Sequence, residues 1–401
     1  MTHDADVVVV GAGPAGAAVS ILLAEHGLAV ITLDRAGFPR DKICGEYLSP
    51  EAGRVLDRLG VLKTLDGAGA VPLAGMRITA PDGTRLRGAY GPAGAYRPYR
   101  GYALGVSRTV LDAVLADRLR SLGVDFRERV RVTDVVRAQG DVTGVRATDE
   151  AGVTRTVRAP LVVGADGRAS VVAHRLRCRH PHRLRRMAVT TYVAGVDGCR
   201  DFGEIFIDPP DYAILNPLAS ERVNLSVVVP LEHAAPWSDR FAQFLEARVK
   251  QMPHLARRLA GARLVAPVRA MGPLAYRVSA PREGGVLLVG DAAGFYDPFT
   301  GEGIFTALRS AELAADVVVG AFRTGDVSAR ALARYHRERA AIFTDKARLT
   351  RALQVLIRHR RLANIAAHVL ARRRALLDTL MGVIGDYVPA RALLRGALVR
   401  A

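Results

Sequence analysis

The sequence predicts an α/β fold, α+β overall, because runs that suit parallel strands alternate with segments that suit an antiparallel sheet. Three apolar runs, Val7–Val10, Leu161–Val163 and Val286–Val289, each lead into a glycine-containing turn. Short runs rich in β-branched residues are typical of strands buried on both faces of a parallel sheet. Segments of alternating polarity with frequent Pro and Gly, within 71–100 and 187–230, indicate hairpins of a second, mostly antiparallel sheet.

The first turn, Gly11-Ala-Gly-Pro-Ala-Gly16, lies between an apolar strand and a helical stretch. In a dinucleotide-binding turn Gly11 would make the tight bend, Gly13 would let the backbone approach a pyrophosphate, and Gly16 would let helix and strand pack closely. Pro14 and Ala15 open the helix, whose unpaired N–H groups and positive dipole end favour a bound phosphate. This turn therefore predicts a Rossmann-like domain.

A second predicted strand, 29–33, ends at Asp34 and Arg35. An acid at this position is placed to accept hydrogen bonds from a ribose hydroxyl. Because a carboxylate repels a 2′-phosphate, the site is expected to bind FAD or NAD rather than NADP. Asp34 and Arg35 are therefore candidate cofactor-binding residues.

Two later strands also run into turns that contain an aspartate. The strand ending at Gly164 leads into Asp166 and Gly167, and the strand from Val286 leads into Gly290 and Asp291. Either turn alone is common, but their order after the first turn is specific. The last turn continues towards a long helical pattern through a segment whose candidate site residues are Pro298, Gly301 and Gly303.

In this order and spacing, the three turns resemble those of the para-hydroxybenzoate hydroxylase-like FAD-dependent oxidoreductase superfamily. Within it, the chain is most similar to the geranylgeranyl reductase family and related monooxygenases, over roughly residues 5–325. The resemblance implies FAD, with its ribityl chain bound by Asp291. It places Asp166 and Gly167 near the pyrophosphate and the path of the co-substrate NAD(P)H. A helix beginning near Gly303 would direct its positive end at the flavin edge that becomes negative on reduction.

The loop after the second strand, Phe38–Glu46, also matches the family. Arg40 and Lys42 could face phosphates of FAD or NAD(P)H, or they could be solvated. Cys44 is expected beside the FAD, where it could contact substrate or pack as a small apolar group. Arg108 opens a helix predicted over 109–122, and in relatives the corresponding arginine lies close to the FAD.

We expect two interlocked domains and an extension in this chain of 401 residues. Three cysteines without a CxxC pair are typical of a reducing cytoplasm, and no metal site is predicted. The predicted segments are an FAD-binding domain over 1–70, 101–175 and 268–330, a substrate domain over 71–100 and 176–267, and a basic helical C-terminal extension over 331–401.

The formal net charge is +18, and residues 331–401 contain 15 Lys and Arg against four Asp and Glu. One interpretation is a helical cap packed on the FAD-binding domain, with a solvated basic face. The alternative is peripheral docking to a membrane surface, which would suit a lipid-like substrate. Nucleic acid is not expected, because no recognised binding motif accompanies the charge. With the cysteine count, this predicts a cytoplasmic protein, and the basic helices make membrane association the alternative.

The reaction is less well specified by the sequence. The geranylgeranyl reductase family carries Tyr-x-Trp-x-Phe-Pro beside its substrate, and the corresponding run here is Tyr212-Ala-Ile-Leu-Asn-Pro217. Because the Trp and Phe are missing, we expect FAD-dependent monooxygenation of a small hydrophobic substrate, by hydroxylation or epoxidation of an aromatic, polyketide or terpenoid metabolite. The alternatives are reduction of isoprenoid C=C bonds, and a redox-neutral cyclisation in which FAD is structural.

No catalytic base stands out. The candidate pocket residues are Cys44, Tyr212, Asn216 and Asp297, each of which could equally be structural. Halogenation is not favoured, because halogenating relatives carry a Trp-rich motif near the flavin and this chain has a single tryptophan, Trp237, outside any such motif.

Overall fold

The computed structural model describes residues 3–301 and 303–393. Its strands are β1 Val7–Val10, β2 Val30–Leu33, β3 Tyr47–Leu48, β4 Val71–Leu73, β5 Gly75–Thr79, β6 Arg85–Ala89, β7 Ala103–Gly105, β8 Asp125–Arg127, β9 Arg131–Ala138, β10 Asp141–Thr148, β11 Thr154–Arg158, β12 Leu161–Gly164, β13 Arg179–Pro181, β14 Arg186–Ala194, β15 Phe202–Asp208, β16 Asp211–Pro217, β17 Val223–Pro230, β18 Arg263–Leu264, β19 Arg269–Met271, β20 Tyr276–Val278 and β21 Val286–Leu288. Its helices are α1 Pro14–Glu25, α2 Pro50–Arg58, α3 Leu62–Gly67, α4 Arg108–Ser121, α5 Val171–Arg175, α6 Leu231–Ala234, α7 Phe241–Gln251, α8 Pro253–Arg258, α9 Gly303–Thr324, α10 Ala329–Arg358, α11 Arg360–Arg372 and α12 Arg374–Ile384.

Five strands form a parallel sheet in the order β21-β12-β1-β2-β8. Alternate residues of β1 face different layers. Val7 and Val9 pack among the buried residues of α1, α4 and α9, whereas Val8 and Val10 pack with the three-stranded sheet of β9, β10 and β11. The parallel sheet is thus a buried middle layer, as its continuous apolar strands predict, and the α/β class is confirmed.

The predicted helices begin and end close to their expected positions. α1 ends at Glu25, and Gly27 follows with a φ of +81°. This left-handed backbone is typical of a glycine just after a helix, because glycine has no side chain to clash. α4 begins at Arg108, and α9 runs from Gly303 to Thr324. Strands β8 to β11 follow α4 along the chain.

The second sheet has the order β18-β14-β17-β16-β15-β5-β6, with β19 paired to β14. Its pairings are antiparallel except that of β15 with β5. One face packs against α7 and α8, and the other packs against the last three helices. The mostly antiparallel second sheet is therefore confirmed, and the hairpin β5–β6 joins it from a distant part of the chain.

The C-terminal helices reach across both sheets. α10 begins beside α9, where the Tyr335 hydroxyl donates to a backbone carbonyl of β21 at 2.7 Å. α11 and α12 contact β6, where Met381 packs over Gly88. A buried ion pair between Lys346 and Asp386 joins α10 to the chain after α12. The extension therefore covers more than the predicted FAD-binding domain. Within 3–301 and 303–393, no helix is both long and apolar enough to span a bilayer.

Candidate active site

A central cavity of about 1390 Å³, its open mouth included, lies between the two sheets. One side is formed by the predicted cofactor residues Gly13, Pro14, Ala15, Lys42, Cys44, Arg108, Gly167, Asp291, Pro298, Gly301 and Gly303. The rest of the lining is largely apolar, is called the apolar wall below, and includes Met76, Ala188, Ile214, Val228, Met271, Leu274, Phe295, Phe299 and Ile384. The structure thus brings residues from all three turns to one cavity that the apolar wall completes.

The first turn packs tightly beneath this surface. Gly11 has a φ of +97°, and a β-carbon on Gly16 would lie 1.7 Å from the Gly11 carbonyl oxygen. Gly13 is the N-cap of α1 and has no side chain to cap the helix. The N–H groups at the start of α1 are therefore available to an anion, as is usual for such turns.

Asp34 is buried at the end of β2 and holds the first turn in place. Its Oδ2 accepts from the Ala12 N–H at 2.8 Å, and its Oδ1 accepts from the Ala36 N–H at 2.9 Å. Each carboxylate oxygen can accept more than one hydrogen bond, so the group retains capacity for a ribose hydroxyl. Arg35 is exposed beside it, and neither residue lines the central cavity.

Two arginines converge on the first turn because one buried acid holds both. Asp112 accepts from Arg108 Nε at 2.9 Å and from Arg108 Nη2 at 2.7 Å, and it lies 3.3 Å from Arg40 Nη2. A β-carbon on Gly13 would lie 3.5 Å from Arg40 Nη2 and 3.9 Å from Arg108 Nη2. Both guanidinium groups are thus fixed where a pyrophosphate would approach Gly13.

The second turn meets Lys42. Asp166 Oδ2 accepts from the Val171 N–H at 2.6 Å, which fixes the turn at the start of α5. Gly167, with a φ of +75°, has no side chain, and a β-carbon there would lie 3.3 Å from Lys42 Nζ. Burial, together with Arg108 and Arg40, lowers the pKa of Lys42 to about 8. The free lysine is therefore charged at neutral pH, and a nearby anion would keep it charged above pH 8.

We expect FAD affinity to fall as pH rises above about 8, where free Lys42 loses its proton. The anionic pyrophosphate favours the charged amine, so binding takes up a proton in this range, and affinity declines by up to about tenfold per pH unit. Titration of FAD into deflavinated protein on both sides of this pH measures the effect. Lys42→Met should flatten the profile, and Lys63→Met, an exposed lysine of α3, should not. An unchanged slope in Lys42→Met would contradict the assignment.

The third turn places a carboxylate at the cavity. The Gly290 N–H donates to Ser310 Oγ of α9 at 2.9 Å, which ties the turn to the helix. Asp291 follows and lines the cavity, where burial raises its pKa while Lys42, Arg168 and Arg108 favour its charged form. A carboxylate in this setting can accept hydrogen bonds from a polyol such as the ribityl chain.

The loop of Cys44 is held against the cavity by asparagines of the second sheet. Asn216 Nδ2 donates to Gly45 O at 3.1 Å and to Glu46 O at 2.7 Å. Asn224 Nδ2 donates to Cys44 O at 2.8 Å. The Glu46 N–H donates to Cys44 Sγ at 3.3 Å, and burial raises the pKa of this thiol. Cys44 and Asn216, two of the candidate pocket residues, both line the cavity.

The other two candidates, Tyr212 and Asp297, lie behind the lining. The Tyr212 hydroxyl donates to Asp297 Oδ1 at 2.7 Å, and both residues are buried. Gln354 Nε2 donates to the same oxygen at 2.8 Å, and the Phe299 ring meets the Tyr212 ring edge-on at 5.0 Å between centroids. Tyr212 and Asp297 therefore support the loop of Pro298–Gly301 on the side away from the cavity.

Buried polar atoms provide a test of whether FAD fits this surface. Arg40 Nε, Arg168 Nη1 and Asp166 Oδ1 are buried without a hydrogen-bond partner within the described residues. Unpaired buried donors are costly, and guanidinium donors suit pyrophosphate oxygens. With the open N-terminus of α1, the two guanidinium donors fit the phosphates of a dinucleotide, and the Asp166 and Asp291 carboxylates can accept from its hydroxyl groups.

A family model described as FAD binding domain matches residues 4–350. The chain belongs to this FAD-binding family. It is an FAD-dependent oxidoreductase of the para-hydroxybenzoate hydroxylase-like superfamily, which confirms the resemblance and the FAD cofactor expected from the sequence.

Two of the relatives that match most of the chain are named reductases, and a third is named a receptor. Digeranylgeranylglycerophospholipid reductase 1 of Methanococcoides burtonii is 30% identical, and the match covers 84% of this chain and 80% of the relative. Menaquinone reductase of Mycolicibacterium smegmatis is 29% identical, over 97% of this chain and 93% of the relative. Conditioned medium factor receptor 1 of Dictyostelium discoideum is 30% identical over 82% of this chain, which spans 66% of that receptor.

Solved structures share the fold across different reactions. A flavin-dependent brominase has a TM-score of 0.85 and 22% identity, covering 99% of this chain and 98% of the brominase. A geranylgeranyl bacteriochlorophyll reductase-like protein of Thermoplasma acidophilum has a TM-score of 0.74 and 22% identity, covering 99% and 96%. At this identity the likeness shows the fold alone.

Sequence reasoning missed residues that organise the flavoprotein's site. Asp112 lies one helical turn after Arg108, so the spacing of an acid at i+4 was a usable signal. Glu46 was not selected, although it accepts from the Arg108 N–H at 2.9 Å, the Tyr192 hydroxyl at 2.8 Å and Asn224 Nδ2 at 3.1 Å. No local pattern in the sequence indicates these long-range contacts.

Proposed function

We propose that this flavoprotein reduces a C=C bond in a hydrophobic, isoprenoid-bearing substrate, with NAD(P)H as electron donor. The observation that carries the proposal is the Cys44 thiol, which lines the same cavity as an apolar wall that includes Ile214 and Val228. The reductases of Methanococcoides burtonii and Mycolicibacterium smegmatis, which match most of the chain, support the same class of reaction. This ranks reduction above the monooxygenation that the sequence favoured.

Bound FAD, once reduced, supplies hydride for such a reduction, and the protein must supply the proton that completes the saturated product. Burial raises the pKa of Cys44, so Sγ holds a proton at neutral pH. The charge of Arg108 lowers the pKa of Cys44, because it stabilises the thiolate that remains when the proton leaves. The hydrogen bond from the Glu46 N–H fixes the position of the sulfur.

The apolar wall defines the chemistry of the substrate. Aliphatic and aromatic side chains from β5, β14, β16, β17 and β19 line it, and Ile384 of α12 adds to them. Such a wall binds a hydrocarbon chain through burial of apolar area and excludes water from the reacting bond. The Glu46 carboxylate at its edge already accepts from three donors, so it is not a free base.

Product mass separates the candidate reactions. The enzyme would be supplied with NADH or NADPH and a geranylgeranyl lipid or a polyprenyl quinone, first without air and then under isotopically labelled dioxygen. Gain of two hydrogen atoms without air supports reduction. Incorporation of labelled oxygen would instead establish monooxygenation, and an isomer formed without consumption of NAD(P)H would establish cyclisation.

We expect Cys44→Ala to lower the rate of reduction by about a hundredfold while flavin content stays unchanged, since a positioned proton donor contributes rate and not cofactor binding. Cys199→Ala removes a buried thiol of the opposite sheet face and serves as the matched control. The measurement is single-turnover oxidation of reduced flavin by substrate without air. An equal rate in Cys44→Ala and Cys199→Ala would remove Cys44 from the mechanism.

Monooxygenation is the second candidate, and a difference between this chain and the reductase family favours it. Ile214 and Asn216 stand where the reductase family carries Trp and Phe, and both line the cavity. The wall is therefore shaped differently beside the flavin surface. Rapid reoxidation of the reduced protein by dioxygen, with oxygen transferred to the product, would favour this candidate over reduction.

A further inference from the structure

Four aliphatic side chains are exposed where α10 gives way to α11. Val355 is 54% exposed, Leu362 41%, Ile365 60% and Val369 39%. We call these four residues the apolar stripe. Leu362, Ile365 and Val369 follow at helical spacing and so lie on one side of α11. Single exposed aliphatics are ordinary, but a stripe along one helix face is typical of a binding surface.

One side of α11 packs against the second sheet, so the apolar stripe on its other side faces solvent. Ala363 and Ala367 are buried on that side. Arg360 Nη2 donates to Asp208 Oδ1 at 2.5 Å, and His368 Nε2 lies 2.9 Å from both Thr84 Oγ1 and Asp82 Oδ2. These contacts anchor α11 to the end of β15 and to the turn between β5 and β6, and they set its rotation about its own axis.

Exposed arginines flank the stripe. Arg351 and Arg358 lie one turn before and after Val355 on α10, and Arg361 and Arg372 lie along one margin of the stripe on α11. A helix face with aliphatic residues at its centre and arginines at its margin is typical of segments that lie in the interface of an anionic membrane. The arginines can bind lipid phosphate while the aliphatic side chains enter the headgroup region.

We propose that this face docks the flavoprotein onto the surface of an anionic bilayer. Charge complementarity supports a lipid surface, and the stripe distinguishes it from nucleic acid, which would use the arginines but leave the aliphatic side chains in water. The same helices continue to the active site, since α12 follows α11 directly and Ile384 lines the central cavity. Docking would therefore hold the cavity close to a membrane-dissolved substrate.

Co-sedimentation with lipid vesicles tests the proposal on the full FAD-bound chain. We expect binding to vesicles of phosphatidylcholine mixed with phosphatidylglycerol, and weaker binding to phosphatidylcholine alone. Ile365→Asp combined with Val369→Asp should weaken binding by at least about tenfold, because two apolar side chains no longer enter the interface. Arg361→Gln combined with Arg372→Gln should lower the ratio of binding to anionic over phosphatidylcholine vesicles by about tenfold.

Leu264→Asp is the matched control, since Leu264 is 55% exposed on β18, outside the C-terminal helices. It should leave vesicle binding unchanged, and flavin content reports that every variant folds. Absence of wild-type binding to anionic vesicles would overturn the proposal, as would an equal loss in Leu264→Asp. Association with duplex DNA or with a second copy of the chain in place of vesicles would also overturn it. None of these measurements requires turnover, so a negative result for membrane docking can be distinguished from a negative result for the proposed reduction.

Discussion

Replacing Gly16 with alanine is expected to abolish retention of FAD and to lower the free energy of unfolding by about 3 kcal/mol. A β-carbon at this position would lie 1.7 Å from the Gly11 carbonyl oxygen, 2.9 Å from the Gly11 carbonyl carbon and 3.0 Å from Ala165 Cβ. Two of these neighbours are backbone atoms, which cannot rotate away as the end of a flexible side chain can. The first turn and α1 must therefore move apart.

That displacement carries the phosphate-binding N–H groups with it, since α1 begins at Pro14, two residues before Gly16. Binding that depends on the position of these groups should weaken by at least about a hundredfold. Flavin absorbance after gel filtration measures cofactor retention, and thermal unfolding of the deflavinated protein measures the loss of stability.

Gly320→Ala in α9 is the control, because no atom lies within 4 Å of the position its β-carbon would take. Alanine has the higher helix propensity, so this variant should be as stable as the wild type or more so. If Gly16→Ala retained flavin and unfolded at the same temperature as Gly320→Ala, the close approach of α1 to the first turn would not be a structural requirement.

The dinucleotide side of the site could be predicted because its geometry is local. Gly11, Gly13 and Gly16 act within one turn, and Asp34 ends the next strand, so spacing alone assigns their positions. The start of α9 at Gly303 follows from the same kind of local signal. Asp112 belongs to this local class as well, since it lies on α4 one turn after Arg108.

The substrate side could not be predicted in the same way, because its contacts depend on how distant strands register. Asn224 reaches Cys44 O across 180 positions of the chain. Asn216 and Asn224 are directly opposed on β16 and β17, a pairing that requires knowledge of the hairpin register. Tyr212 shares its strand face with Ile214 and Asn216, yet Phe299 covers it, which no pattern in the sequence indicates.

Glu46→Ala is expected to lower both stability and turnover, because Glu46 holds the substrate side of the site together. Its buried carboxylate accepts from the Arg108 N–H, the Tyr192 hydroxyl and Asn224 Nδ2. Alanine leaves three donors without an acceptor, which costs about 3 kcal/mol of unfolding free energy in total. The loop that carries Cys44 then loses its anchor, so turnover should fall by about a hundredfold.

Glu46→Gln separates the charge of this group from its shape. Burial raises the pKa of Glu46 above the usual 4.5, so the folded chain holds this proton more tightly than the unfolded chain does. The contribution of Glu46 to the free energy of unfolding therefore declines as pH rises from 4.5 through the raised value. Denaturant unfolding across this range should show the decline in the wild type, and it should be absent in Glu46→Gln.

Glu204→Ala distinguishes a positioning role from a general loss of stability. Glu204 is also buried and hydrogen-bonded, but it accepts from Arg77 and Arg258 on the sheet face away from the cavity. Its removal should destabilise the fold by a comparable amount while the turnover of folded, flavin-loaded protein stays at the wild-type rate. If Glu46→Ala behaved in the same way, with stability lost and turnover intact, Glu46 would be a structural residue only. A selective loss of turnover in Glu46→Ala would instead show that its three hydrogen bonds position Cys44 for reaction.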